Sequence, residues 1–301
     1  MALANVYETP LWEIIRTMLD VTHRDWVEGT ATGGTTATII DTARDEADNY
    51  FENTSPQSRA HIISTTDGAA PVGQDRKITT STCTTNGTMT VTQLFSPAPG
   101  AGDTYGVYSV ARWTSLVRYV NTAINQYKTR FPIRHIDETG IILQTSQYEY
   151  PIPEAFSHIC KITQADSSGY FKDSIIPPDH YTVVYDTIPR LRFYQYPAEF
   201  QLPGIYFGEL WFNSSMSDGR YLRIEGLQLQ PTLTDDNDLC YLHPDMIAFH
   251  AGGLLHLALS TRSDVDPDYH KNQADNWLAR AEDIAKKVPF QLPPDTKKVK
   301  T

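Results

Sequence analysis

The sequence has few cysteines and no long apolar run. Cys83, Cys160 and Cys240 are the only three cysteines in 301 residues, and they lack the short spacings that build zinc sites or redox pairs. We therefore expect reduced thiols in a cytosolic environment. No apolar run approaches the ~20 residues that span a bilayer, and the start lacks a basic stretch followed by an apolar one. The sequence predicts neither signal-peptide secretion nor a membrane anchor.

Basic charge is also scarce. The formal net charge is -11 and the sequence pI is about 5.2. A protein that coats nucleic acid needs a clustered basic surface, so that class is excluded and any contact with DNA should be local. The one concentrated basic stretch is at the C-terminus, at Lys297, Lys298 and Lys300. The 40% hydrophobic content suffices for a substantial core in one to three domains.

Catalytic motifs are missing as well. The chain has no GxSxG elbow, and its serines, histidines and acidic residues show no triad spacing. Gly29, Gly33 and Gly34 precede a predicted strand without a following Gly-Lys-Ser/Thr, so we interpret them as turn residues. We expect no catalytic residue and no cofactor, and we expect that the protein is not an enzyme. An active site assembled in space from distant residues is the alternative.

One acidic group resembles the start of a calcium loop. Asp264, Asp266 and Asp268 have the spacing of its first three ligands. However, Pro267 stiffens the segment, the sharp-turn glycine is missing, and the twelfth position holds Asp275 rather than glutamate. Helix capping explains these aspartates better, and we expect no metal here.

Two further groups invite a metal interpretation. His250 and His256 are six residues apart on an apolar helix, whereas ligands on one helical face stand three or four apart. We interpret them as hydrogen-bonded core or interface histidines. Asp235, Asp236 and Asp238 could bind a cation, but an acidic, solvated loop before a helix is the commoner arrangement.

Hydrophobic periodicity predicts four helices and two β-rich regions. Apolar residues at three-four spacing predict helices near Leu11 to Asp25, Arg112 to Phe131, Pro244 to Thr261 and Pro267 to Lys287. The third of these is apolar on most sides and should be buried, in the monomer or at an interface. Short alternating runs predict antiparallel strands in both β regions, and Asn86-Gly87 is the best hairpin signal. A short helix is also predicted at Asp41 to Phe51.

These elements predict an α+β fold with a helical bundle core made of N-terminal, central and C-terminal helices. An antiparallel β module is inserted into this core, and a second β-rich region forms a sandwich or small barrel. The predicted divisions are residues 1–26 and 112–133 for part of the helical core, 27–111 for the β module, 134–230 for the second β-rich domain, 231–287 for the helical pair that completes the core, and 288–301 for an extended tail.

The tail contains Pro289, Pro293 and Pro294 and cannot continue the last helix. It could extend over roughly 45 Å, and it is either disordered or docks on a neighbour. An aromatic run in the second β region could either stack on sugars or fill a β core. Its members are Tyr194, Tyr196, Phe200, Tyr206, Phe207, Trp211 and Phe212.

The helices and two β strings resemble known virion proteins. Arg118–Asn125 in the central helix and Trp277–Glu282 in the last helix, in this order, resemble the head-to-tail connector proteins of tailed bacteriophages, which are the adaptors or neck proteins beneath the portal. Gly33–Thr42 and Asn86–Val91, with Ala98–Tyr105, look like a β module that recurs in phage virion proteins.

The resemblance implies a homo-oligomeric ring, usually of twelve copies, between the portal and the neck or tail. Such a ring surrounds a DNA channel used in packaging and ejection, so its partners are sister subunits, the portal, neck or tail proteins and, transiently, DNA. We expect a virion protein that assembles in the host cytoplasm. The resemblance also implies a C-terminal portal-docking tail, for which the candidate residues are Val288, Pro289, Phe290, Leu292, Lys297, Lys298 and Lys300.

Two other functions fit the sequence. A tail or baseplate module could recognise a host surface glycan through the aromatic run, and a virion-associated hydrolase could carry a site assembled in space. The adaptor is favoured on physical grounds. A ring subunit needs two complementary lateral surfaces, and an acidic conduit lets the DNA duplex slide without sticking. The net negative charge of the chain fits such a conduit.

Overall fold

A computed structural model describes residues 7–52, 58–66, 71–144, 147–153, 155–166, 168–171, 175–185, 187–193, 219–262, 264–289 and 296–299. The backbone contacts divide the chain into two compact units, one of which comprises Tyr7–Tyr127 and Pro231–Val288. The other is built on Lys128–Gln230 and includes the C-terminal residues. Among the described helices, none is long and apolar enough to cross a membrane.

The unit built on Tyr7–Tyr127 and Pro231–Val288 contains all five α-helices of the described residues. They are α1 (Leu11–Thr17), α2 (Cys83–Asn86), α3 (Trp113–Tyr127), α4 (Pro244–Leu259) and α5 (Pro267–Lys287). A π-helical segment, Met18–His23, continues α1. The strands are β1 (Thr9–Pro10), β2 (Val27–Thr30), β3 (Gly33–Thr35), β4 (Thr38–Ile40), β5 (Arg59–Ser64), β6 (Asp75–Thr82), β7 (Thr88–Val91), β8 (Thr104–Tyr108) and β16 (Leu239–Cys240).

Seven of these strands form one antiparallel sheet in the order β2-β8-β5-β6-β7-β4-β3. The long strand β6 pairs with β5 through its first residues and with β7 through its later ones. Both halves of the strand order contribute to one buried apolar cluster, in which Ile62 and Tyr105 join Ile39 and Met89. The β module predicted between the first two helices therefore has an apolar core of its own.

The predicted turn at Asn86-Gly87 does connect β6 to β7. The connection is the single helical turn α2, which ends at Gly87 with φ at +66°. Two neighbouring predictions were wrong. Gly29 lies in β2, and Gly33 and Gly34 lie in β3, rather than in turns. Residues 41–51 form turns rather than a helix.

The helices pack around α4. This helix contacts α1, the π-helical segment, α3 and α5. Its glycines allow the close approach, since a Cβ at Gly252 would lie 2.5 Å from Thr22 Oγ1 and a Cβ at Gly253 would lie 2.8 Å from Leu278 Cγ. Most of its apolar side chains are buried within the chain, as the apolar sequence predicted.

The other unit is a β structure. Its strands are β9 (Ile133–Ile142), β10 (Glu149–Pro151), β11 (Phe156–Gln164), β12 (Ile175–Ile176), β13 (Tyr181–Val184), β14 (Arg190–Phe193), β15 (Tyr221–Gln228) and β17 (Lys297–Lys298). One sheet has the order β12-β11-β15-β9, with β17 also on β11, and a second has the order β10-β14-β13. Both sheets contribute to one buried cluster that includes Phe156, Ile224, Leu191 and Phe193.

The predicted helical bundle core was wrong. The described residues contain seventeen strands in four sheets, and the unit built on Lys128–Gln230 holds no described α-helix. Amphipathic periodicity correctly identified the helices, because it is a local signal. It could not show that each β region would bury its own apolar cluster. The fold is mixed α and β but rich in β-structure, and the finer domain boundaries stay predictions.

Candidate functional site

The tail residues predicted to dock on a portal are in several places. Val288 is the C-terminal cap of α5, where its N–H donates to Ile284 O, and Pro289 follows it. Phe290, Leu292 and Lys300 lie outside the described residues. Portal docking by these residues stays a prediction.

Lys297 and Lys298 form strand β17, which pairs with His158 and Ile159 of β11 in antiparallel register. The sequence predicted either disorder or docking on a neighbour for the whole tail. The structure instead pairs this strand with a sheet of its own chain. Val299, which follows it, is 1% exposed.

The acidic loop before α4 contains a buried aspartate. Asp236 accepts hydrogen bonds from Trp113 Nε1 and His61 Nε2, both at 2.8 Å, and the His61 and Trp113 rings stack 3.6 Å apart. Asp238 instead accepts hydrogen bonds from the Thr234 and Asp235 N–H groups, which lowers the pKa of its carboxyl. The expectation of a solvated loop therefore holds for exposed Asp235 but is wrong for Asp236.

Three histidines from separate elements meet beside α4. His23 stacks on His256 at 4.0 Å, and the Nδ1 atoms of His256 and His270 are 2.9 Å apart. His256 Nε2 lies 3.0 Å from the Thr22 carbonyl, which can only accept, so this nitrogen carries the proton. In neutral His256, Nδ1 then accepts from His270 Nδ1. The interpretation of His256 as a hydrogen-bonded core residue is confirmed.

Burial lowers the pKa values of two of these histidines, His23 and His256. Burial, together with the neighbouring His256 and His270, lowers the pKa of His23 to about 3. His250 stands apart from the cluster, within 3.2 Å of the Tyr127 hydroxyl, and burial lowers its pKa as well. Sequence spacing alone could not reveal the cluster, because its members come from different parts of the chain.

The histidine cluster lines a cavity of about 710 Å³ within the same unit. Three cationic side chains, Arg24, Arg262 and Arg280, line it together with one carboxylate, Asp25. That carboxylate already accepts hydrogen bonds from the Ser109 N–H and hydroxyl and from the Val110 N–H. Arg262 is likewise already engaged, because it pairs with Asp264.

Asp266 is the N-terminal cap of α5. It accepts hydrogen bonds from the Asp268 and Tyr269 N–H groups at the start of α5, so the capping prediction is confirmed. Asp264 pairs with Arg262. Among the described residues, no group of three or more histidine, cysteine or acidic side chains could hold a metal ion.

The aromatic run proposed for sugar stacking lies wholly outside the described residues. This applies to Tyr194, Tyr196, Phe200, Tyr206, Phe207, Trp211 and Phe212. Glycan recognition through them therefore stays a prediction.

Comparison with known protein families identifies the family of the chain. The model of the SU10 adaptor protein family matches residues 89–296, which is more than half of the sequence. The chain belongs to the SU10 adaptor protein family. The match extends from β7 through α3, the second β region, α4 and α5. A search of curated proteins found no matching relative.

Membership of the adaptor family confirms the resemblance to phage adaptor proteins at the level of the family. It also agrees with the expectation of a structural virion component. The ring, its twelve copies, the DNA channel and the portal contact are finer statements, and they stay predictions.

Proposed function

We propose that this adaptor protein is the subunit of a ring that joins the portal of a tailed bacteriophage to its neck or tail. The single observation that carries the proposal is the family match over residues 89–296. The ring has twelve copies, as in the connectors that the sequence resembles, and it forms part of the channel through which DNA passes.

The charge of the chain supports this role. With a net charge of -11, each subunit repels the phosphate backbone at long range, so a channel built from such copies lets DNA move without binding it. Closure of a ring needs a heterologous contact, in which two different faces of each copy meet. In this proposal the first residues after α5 reach the portal, with Phe290 and Leu292 as apolar anchors.

The experiment is light scattering of the purified chain, alone and mixed with the portal protein of the same phage. We expect a mass of about twelve subunits, formed by the chain itself or on the portal. A chain that stays monomeric and ignores the portal overturns the proposal.

A double variant tests the docking residues in the same mixture. Phe290→Ser with Leu292→Ser should weaken the portal complex by tenfold or more, because two apolar anchors are lost. Lys286→Ala, on the exposed last turn of α5, is the matched control and should leave the complex unchanged. Equal portal binding by the double variant and the control would show that Phe290 and Leu292 do not contribute to the contact.

A further inference from the structure

The C-terminal strand occupies a defined groove on one sheet. One edge of β11 pairs with β15, and its other edge is shared by β12 at Ile162 and Thr163 and by β17 at His158 and Ile159. The Val299 N–H extends this pairing with a 2.7 Å hydrogen bond to Ser157 O. The edge of β11 from residue 157 to 159 is therefore an acceptor site for an extended peptide.

The groove also recognises side chains. Lys297 Nζ donates to Pro178 O at 2.6 Å and lies 4.6 Å above the centre of the Tyr181 ring. Val299 is buried in the apolar cluster of the sheet, whereas Lys298 between them is exposed. Alternate residues of the strand thus face the sheet, and the site selects a lysine two positions before a β-branched apolar residue.

All of these contacts are made by a short segment at the end of the chain. The segment follows α5 after a connection, residues 288–296, that contains three prolines and can extend over roughly 30 Å at ~3.3 Å per residue. The same contacts are available to an identical segment from a second copy. Exchange of an identical element in this way adds subunit contacts at little cost.

Charge attracts the strand of one copy to a second copy. Lys297, Lys298 and Lys300 give the last five residues a charge of +3 before the terminal carboxylate, whereas the whole chain carries -11. An acidic neighbour therefore attracts this tail, as the acidic remainder of its own chain does. In a ring, the neighbour also holds its groove at an effective concentration in the range of millimolar.

We propose that in the assembled ring the strand Lys297–Val299 of each copy occupies the β11 groove of the adjacent copy. The exchanged strands link the subunits all the way round the ring. This proposal rests on the ring of the proposed function, and it adds the means by which neighbouring subunits are joined.

A disulfide between the strand and β11 can report which copy the strand occupies. Thr296 Oγ1 lies 3.8 Å from the sulfur of Cys160 on β11, so Thr296→Cys places two thiols side by side. Burial raises the pKa of the Cys160 thiol, and the reaction therefore needs catalysed oxidation. Cys83 and Cys240 are both buried. After oxidation of the assembled variant, denaturing gels without reductant should show loss of the monomer band and a ladder of covalent multimers.

A mixing experiment excludes disulfide formation within one chain, because it places the two thiols on different chains. The variant Thr296→Cys with Cys160→Ser can supply only the tail thiol, and wild-type chain can supply only the Cys160 thiol. Co-assembled and oxidised, they should give a covalent dimer of one of each. Cys160→Ser chain in place of wild type is the matched control and should give none. His158→Cys and Lys298→Cys, which face each other in register, provide a second pair on separate chains should the first pair fold poorly.

The outcomes separate this proposal from the proposed function. Assembly measured by light scattering with a covalent ladder supports both. A ring of normal mass in which oxidation gives only internally linked monomer overturns strand exchange and leaves the adaptor ring standing. A chain that never assembles overturns both.

Discussion

At the scale of single residues, the most consequential side chain is one that sequence reasoning treated as solvated. Asp236 accepts hydrogen bonds from His61 and Trp113, which lie 175 and 123 positions away in the chain. Its neighbour Asp235 is exposed. Both are aspartates in the same acidic loop, and composition cannot distinguish a buried acceptor from a solvated one. The hydrogen bonds of Asp236 tie β5 and α3 to the loop before α4.

Asp236→Ala should lower the free energy of unfolding by about 1–3 kcal/mol, because it leaves two buried N–H donors without an acceptor. Asp235→Ala is the matched control and should stay within about 0.5 kcal/mol of wild type. Urea unfolding followed by tryptophan fluorescence measures both. Equal effects of the two substitutions would mean that the buried hydrogen bonds contribute nothing net.

At the scale of elements, local patterns predicted well wherever the structure depends on local signals. The predicted helices at Pro244 and Pro267 begin where α4 and α5 begin, since proline at the first helical position is itself a local signal. The short helix predicted at residues 41–51 failed, because the backbone there follows contacts with β6 and α2. Strand β17 was not predicted either, because it forms by pairing with the distant strand β11 and its own sequence is a run of lysines after prolines.

Gly87 illustrates an element that depends on one residue. Its φ is +66°, and a Cβ would lie 2.0 Å from the Asp41 carbonyl oxygen, a backbone atom that cannot move aside easily. Gly87→Ala should therefore destabilise the chain by about 2 kcal/mol or more. Gly33→Ala has open space around its Cβ and should be neutral or slightly stabilising. Thermal unfolding of the two variants tests this, and a neutral Gly87→Ala would contradict it.

At the scale of the whole molecule, the stability of the chain should depend on pH through three wholly or partly buried histidines. Burial lowers the pKa values of His23, His250 and His256, and for His23 the value falls to about 3. Between pH 6.5 and 3 the unfolded chain binds a proton at this position that the folded chain does not. The contribution to stability is therefore complete above pH 6.5 and is lost as the pH falls.

For His23 alone the slope is about 1.4 kcal/mol per pH unit below pH 6.5. Urea unfolding at pH 7, 6 and 5 should show falling stability, and His23→Phe, which keeps a ring against His256, should show a shallower slope. Parallel slopes for the variant and wild type would show that His23 does not titrate on unfolding.

The helices, most strands and the class of protein could be predicted from the amino-acid sequence, because periodicity, caps and turn residues act over a few positions and because family patterns reside in sequence. Which distant residues meet became visible only in the folded chain. It placed Asp236 against His61 and Trp113, three histidines beside one cavity, and Lys297–Val299 on β11. Each of these depends on contacts between residues far apart in the chain, and burial then fixed the hydrogen bonds and pKa values that follow from them.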